Sequence, residues 1–142
     1  MSESNANQRP KHSMDVGVAL PCLDRDGWRG SLKDRLNALL GMHEAYDVFQ
    51  KAHLKRPDNV FLGVFEEMKM TLEAHGLENE IPASGATIII ANHPFGGADA
   101  IALCGLCIEQ RSNTKVFANA ITAQLPGTAE FSISLQILGE DG

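Results

Sequence analysis

Several shortages narrow what this 142-residue chain can be. Basic residues are outnumbered, 12 against 18 acidic ones, for a net charge of -6. A chain so charged lacks the electrostatic footprint of a nucleic-acid surface. The same balance disfavours anionic membranes and leaves only a local basic patch for that purpose. The three cysteines, an odd number, exclude a disulfide framework. No apolar run is long enough to cross a bilayer. Residues 1–10 are polar and lack the apolar core of a secretory signal, so a cytoplasmic protein is expected. No internal repeat or low-complexity block appears.

What is present supports a real core. Hydrophobic residues make up 44% of the chain, and one domain is expected at this length. Residues 1–14, polar and aperiodic, read as a disordered tail. Residues 15–80 read as an N-terminal helical segment. An apolar patch over 16–23 is broken by Pro21, and Trp28, the one tryptophan, can anchor this leading part. A first helix is expected from Ser31, with Ser31 as its cap and Asp34 as a weak capping-box partner. Leu32, Leu36, Leu39 and Leu40 recur in it at helical spacing, and Gly41 ends or kinks it. A second helix is expected over 43–52, before Arg56-Pro57-Asp58-Asn59 breaks the pattern. A third is expected from 59 or 60 to 75, with Gly76 as its stop. Its stripe of Phe61, Leu62, Val64, Phe65, Met68 and Leu72 fits a face for acyl chains. Helix-on-sheet core is the plainer reading.

The next stretch organises the rest. Thr87-Ile88-Ile89-Ile90-Ala91 is short, apolar and β-branched, as a buried strand is. It meets Asn92-His93-Pro94, where proline ends any ladder. Phe95-Gly96-Gly97 allows a tight turn and a close backbone approach by a ligand. Asp99 opens an apolar helix to about Gln110. After a turn at Arg111-Ser112-Asn113, residues 115–118 read as a second strand, parallel to the first by right-handed crossover. Residues 120–125 read as a short helix stopped by Pro126-Gly127, and 131–138 as a third strand. The expected fold class is α/β, a mainly parallel sheet with helical cover and an N-terminal helical segment. Ligands in such sheets collect at the carboxyl ends of strands, where His93 and Asp99 arrive together.

Histidine is the commonest general base, and a carboxylate on its second ring nitrogen improves it. No serine or cysteine lies within 87–99, so the pair suits activation of a substrate hydroxyl. On spacing alone a second reading stands beside it: Asp99 caps the helix and His93 is a strand-end residue with a satisfied hydrogen bond.

Asn92-His93-Pro94-Phe95-Gly96-Gly97-Ala98-Asp99 resembles the first motif of the glycerolipid and lysophospholipid acyltransferase family. Most members have four residues between the His and the Asp. The five found here resemble the bacterial branch of haemolysin-like and ornithine-lipid acyltransferases, with its N-H-P-x-G-x-x-D pattern. The flanks Ile81-Pro82-Ala83-Ser84-Gly85 and Lys115-Val116-Phe117-Ala118-Asn119 are similar too, and the likeness extends roughly over 36–142. The resemblance implies an enzyme of lipid metabolism and phospholipid biosynthesis. It would transfer an acyl group from acyl-CoA or acyl carrier protein to a lysolipid hydroxyl. His93 would be the catalytic base and Asp99 its partner. Asn92 and Phe95 would lie at the substrate, and Gly96 and Gly97 would offer N–H groups to the oxyanion. No cofactor or metal is implied, and the enzyme would sit peripherally on the inner face of the cell membrane. The family's downstream Phe-Pro-Glu-Gly type block has no counterpart, and Gly139-Glu140-Asp141-Gly142 is not a match. Residues 81–142 are therefore expected to be the first part of the acyltransferase domain, little active alone and prone to self-association through 131–138.

Two other functions stand beside it: a truncated, non-catalytic fragment that binds lipid, and a metal-dependent hydrolase. The second lacks the H-x-H-x-D-H cluster, since Phe95 stands where another histidine is wanted. Cys104 and Cys107, spaced as C-x-x-C but without a second pair, read as core rather than zinc or redox residues. His12, His43, His53 and His75 read as surface or helix-end residues. Lys51, His53, Lys55 and Arg56 form a small basic cluster, suited to a headgroup or to solvent.

Overall fold

The computed structural model describes residues 15, 17, 21–23, 27–77, 80–92 and 94–135. Among them the chain forms α1 (Trp28–Leu39), α2 (Met42–Lys55), α3 (Val60–Glu67), α4 (Gly97–Gln110), β1 (Val116–Asn119) and β2 (Ser132–Leu135), with 3₁₀ turns at Pro21–Leu23 and Thr122–Gln124. Among the described residues the protein is thus a mixed α/β chain, with more helix than strand and a small parallel sheet. The tail expected at 1–14 and the strand residues expected at 136–138 lie outside the described residues. No described helix is long and apolar enough to cross a membrane.

The short helix α3 is the middle of the molecule. Asn59 caps it, its Oδ1 accepting the Leu62 N–H at 3.3 Å. The Asn59 amide also donates to the Gly105 carbonyl at 2.9 Å and to Glu109 at 3.1 Å, so the cap ties α3 to α4. Two glycines let the helices close on each other. A Cβ on Gly63 would lie 2.8 Å from the Ala52 carbonyl oxygen of α2, and one on Gly105 would lie 2.8 Å from Leu62 Cδ2. Around these contacts Phe49, Ala52, Val60, Phe61, Val64, Cys104, Ile108 and Phe131 form the core. Phe61 makes edge-on contacts with Phe49 at 6.4 Å and with Phe131 at 6.0 Å between ring centroids. Such pairs add about 0.5–1.5 kcal/mol beyond area burial.

β1 and β2 pair in parallel, Val116 opposite Ser132 and Asn119 opposite Leu135. The connection between them folds on the buried Thr128, whose hydroxyl lies 2.7 and 2.8 Å from the Thr122 and Leu125 carbonyl oxygens. Before α1, Asp15 gathers the Gly17 N–H at 2.7 Å, the Asn37 amide at 3.3 Å and the Lys33 ammonium at 3.2 Å. Gln124 brackets the Asp15 backbone. Burial pushes the Asp15 carboxyl up, but these three donors together outweigh it and hold the carboxyl below its ordinary value.

Several expectations need correction. The first helix begins at Trp28, not Ser31, and Gly27 precedes it without a side-chain cap. Its buried residues are Lys33 and Asn37, drawn inward by Asp15, while Leu39 is 81% exposed. Trp28 is exposed and lies outside the core of the described residues, with the Arg29 guanidinium 5.4 Å from its ring centroid. The third helix stops at Glu67 rather than running to 75. Lys69 takes φ 55 there, and the N–H groups of Lys69 and Met70 close on the Glu66 and Phe65 carbonyls. That is a Schellman ending with lysine where glycine is usual. The strand expected over 87–91 is absent. These residues have no regular structure and are exposed, Ile88 at 86% and Ile90 at 90%. β-branched residues favour a pleated, half-buried surface, and no described strand supplies one beside them. The parallel partner of the strand at 116–119 is β2.

Candidate functional site

His93 lies outside the described residues, so the site is built from what surrounds it in sequence. Pro94, Phe95 and Gly96 turn the chain into α4. Gly96 sits at the helix N-cap with φ 69 and ψ -122, a conformation that disfavours any side chain. A Cβ at Gly96 or Gly97 would meet nothing within 4 Å, so the backbone here is open to approach. Asn92 and Phe95 are exposed, Phe95 at 82%. With Ile88 and Ile90 it adds apolar surface on the arm leading into and out of Asn92-His93-Pro94.

Asp99 lies in the first turn of α4, where a carboxylate is favoured by the helix dipole. Its Oδ2 accepts the Phe95 N–H at 2.8 Å and so braces the turn. Among the described residues Oδ1 accepts no hydrogen bond. Asp99 therefore does not cap the helix, whose N-cap is Gly96 without a side-chain cap bond; one of its oxygens braces the preceding turn, and among the described residues the other takes no hydrogen bond.

Arg111, read from sequence only as part of a turn, does more. It follows α4 and its guanidinium reaches back to the chain before 87–91. Nη2 donates to the Gly85 carbonyl at 2.7 Å, and Nη1 lies 3.2 Å from the Pro82 carbonyl and 3.4 Å from Thr87 Oγ1. Nε donates to Asn113 at 2.9 Å. The signal for this was present but weak: an arginine just past a helix end, and a Pro-Ala-Ser-Gly loop ahead of the apolar run.

The remaining candidates fall into structural roles. Cys104 and Cys107 are buried in α4. Burial first, then the neighbouring Cys107, pushes the Cys104 thiol up to about 11, and burial pushes Cys107 up as well. Neither is a ready thiolate nucleophile. The basic cluster is neutralised within the protein. Lys55 and Lys51 face Glu67, and Arg56 meets Glu109 at 3.1 Å, Glu66 at 3.4 Å and Asp58 at 3.9 Å. His43 and His75 are exposed, and His53 packs beneath Gly127 with Nδ1 buried and without a hydrogen-bond partner among the described residues. No group of three or more His, Cys, Asp or Glu among the described residues is arranged to hold a metal ion. In comparisons with known proteins, no family model, no curated protein and no solved structure matches the chain.

Proposed function

We propose that this chain carries the His–Asp centre of an O-acyltransferase of the lysophospholipid type. It moves a fatty acyl group from acyl-CoA or acyl carrier protein to a hydroxyl of a lysolipid. The reading rests on Asn92-His93-Pro94-Phe95-Gly96-Gly97-Ala98-Asp99. The observation that carries it is the Asp99 carboxylate, with one oxygen bracing the turn after His93 and the other unoccupied among the described residues. In this mechanism His93 takes the proton of the acceptor hydroxyl, and Asp99 stabilises the imidazolium. The hydroxyl oxygen forms a bond to the thioester carbonyl carbon. The Gly96 and Gly97 N–H groups steady the oxyanion. The C–S bond then breaks, and the thiolate leaves with the proton returned by the imidazolium. Asn92 and Phe95 line the substrate.

The fold that goes with this reading is a mainly parallel sheet, with 15–80 as helical cover and the His–Asp motif carried within 81–142. The reading also puts the protein peripherally on the inner face of the cell membrane. The exposed Ile88, Ile90 and Phe95 favour a second reading, lipid binding without catalysis.

Thiol release from acyl-CoA in the presence of lysolipid separates the two readings. His93→Ala should lower the rate by on the order of a hundredfold to ten-thousandfold. Asp99→Asn should also lower it, by misorienting the ring. An unchanged rate in His93→Ala excludes His93 as base. Vesicle binding with no thiol release in the wild-type protein favours the lipid-binding reading.

A further inference from the structure

We infer that residues 87–91 are an exchange strand, which pairs with the outer edge of β1 in a second copy of this chain. The segment has strand composition and no sheet. Among the described residues the backbone of 86–92 makes no backbone–backbone hydrogen bond, while Ile88 and Ile90 stand in solvent. Bare backbone of this kind is a template for strand pairing, which natural sequences block with charge or proline. Neither block is present here. Residues 81–98 hold no Asp, Glu, Lys or Arg, although these make up 21% of the chain, and 86–92 hold no proline.

The sheet supplies a matching acceptor. Among the described residues it has two strands, so each has one outer edge. The Val116 N–H donates to the Phe131 carbonyl at 2.7 Å. Val116 and Ala118 therefore turn their backbone groups towards β2, and alternation leaves those of Phe117 and Asn119 on the outer edge. The outer edge of β2 is partly closed by its own turn, where the Ser132 N–H lies 3.4 Å from the Ala129 carbonyl oxygen. No such bond among the described residues shields β1, and none of its residues is charged or proline. Register puts Phe117 opposite Ile133 and Asn119 opposite Leu135, so one face of the sheet carries Phe117, Ile133 and Leu135, all exposed. A second copy fits because every chain carries one donor and one acceptor. Two chains about a twofold axis use both at once and leave neither open. The three isoleucines of 88–90 and the three apolar residues of the sheet face expose on the order of 700 Å² per copy, close to the roughly 800 Å² per partner of a stable interface. A bilayer fits less well, because lipid offers no partner to bare N–H and C=O groups.

The test is complementation between two variants, read by sedimentation equilibrium over a dilution series. Ile88→Asp/Ile90→Asp spoils the donor and Phe117→Asp spoils the acceptor, all at exposed positions. Wild type should be a dimer that dissociates on dilution. Each variant alone should be monomeric, its dissociation constant raised on the order of a hundredfold or more. An equimolar mixture of the two should form a weaker dimer again, because the intact strand of one meets the intact edge of the other. If Phe117→Asp does not fold, amide exchange of wild type carries the test: residues 87–91 and Phe117 should become protected together as concentration rises. A monomeric wild type overturns the inference, whether its 87–91 amides are protected within one chain or the monomer binds phosphatidylcholine vesicles. So do variants that stay dimeric, a mixture that stays monomeric, amide exchange independent of concentration, and assemblies that grow without stopping at two.

Discussion

Single side chains, or their absence, set the closest contacts. The Ala52 carbonyl oxygen lies only 2.8 Å from where a Gly63 Cβ would be, and backbone cannot swing aside as a side chain does. Gly63→Ala should therefore destabilise by about 1–3 kcal/mol through overpacking, read as a lower denaturation midpoint. A variant as stable as wild type would show that α2 and α3 do not approach so closely. Asn59 works in the opposite sense, being buried because all its polar atoms are used. Its oxygen caps α3 and its amide bonds to α4, so a buried polar group becomes a joint between helices. Residues of this kind are poorly legible in sequence. Asn59 after Asp58 reads as a turn, and only the arrival of Gly105 from a distant helix gives the amide its second role.

Whole elements were legible where local pattern and tertiary contact agree. The apolar spacing in α2 and α4 and the short β-rich runs at 116–119 and 132–135 formed close to their expected positions. Pattern failed where a distant residue decided. The leucine spacing of α1 ordinarily marks a buried face, yet Asp15 recruits Lys33 and Asn37 and turns that helix the other way. The apolar run at 87–91 has strand composition, but a strand exists only with a partner. The motif over 92–99 was the most legible feature and the least structurally described, because His93 falls outside the described residues. The early stop of α3 shows a further competition. Helical pattern continues past Glu67, but the Schellman bonds at Lys69 and Met70 end the helix with a left-handed lysine. Lys69→Gly should stabilise the protein by roughly 0.5–1 kcal/mol, since glycine adopts that conformation without the Cβ penalty. Denaturant unfolding measures it, and a loss of stability would show that the ending depends on the lysine side chain.

For the molecule as a whole, α4 joins the candidate site to the core. One of its ends carries Asp99, while Cys104 and Ile108 are buried among the helices. The buried thiols give this assembly a pH response. Cys104 is pushed from 9.0 to about 11 in the folded protein, burial being the first cause. The folded state keeps its proton where the unfolded chain releases it. That contribution to stability is complete below the unfolded value and is lost as pH rises through the folded one. Denaturation midpoints at about pH 8 and about pH 10.5 should therefore fall more steeply in wild type than in Cys104→Ala/Cys107→Ala. Equal slopes would mean that the thiols are not shielded.

The aromatic chain Phe49–Phe61–Phe131 also has a consequence in the order of synthesis. Translation delivers α2 and α3 together, and their contacts are local enough to form as soon as both have emerged. Phe61 then has Phe49 on one side and nothing on the other until Phe131, seventy positions later, leaves the ribosome. For that interval the nascent helical pair presents an open apolar face of the kind that chaperones cover. The core is assembled early at one aromatic contact and closed late at the other, with the arm bearing the His–Asp motif made in between.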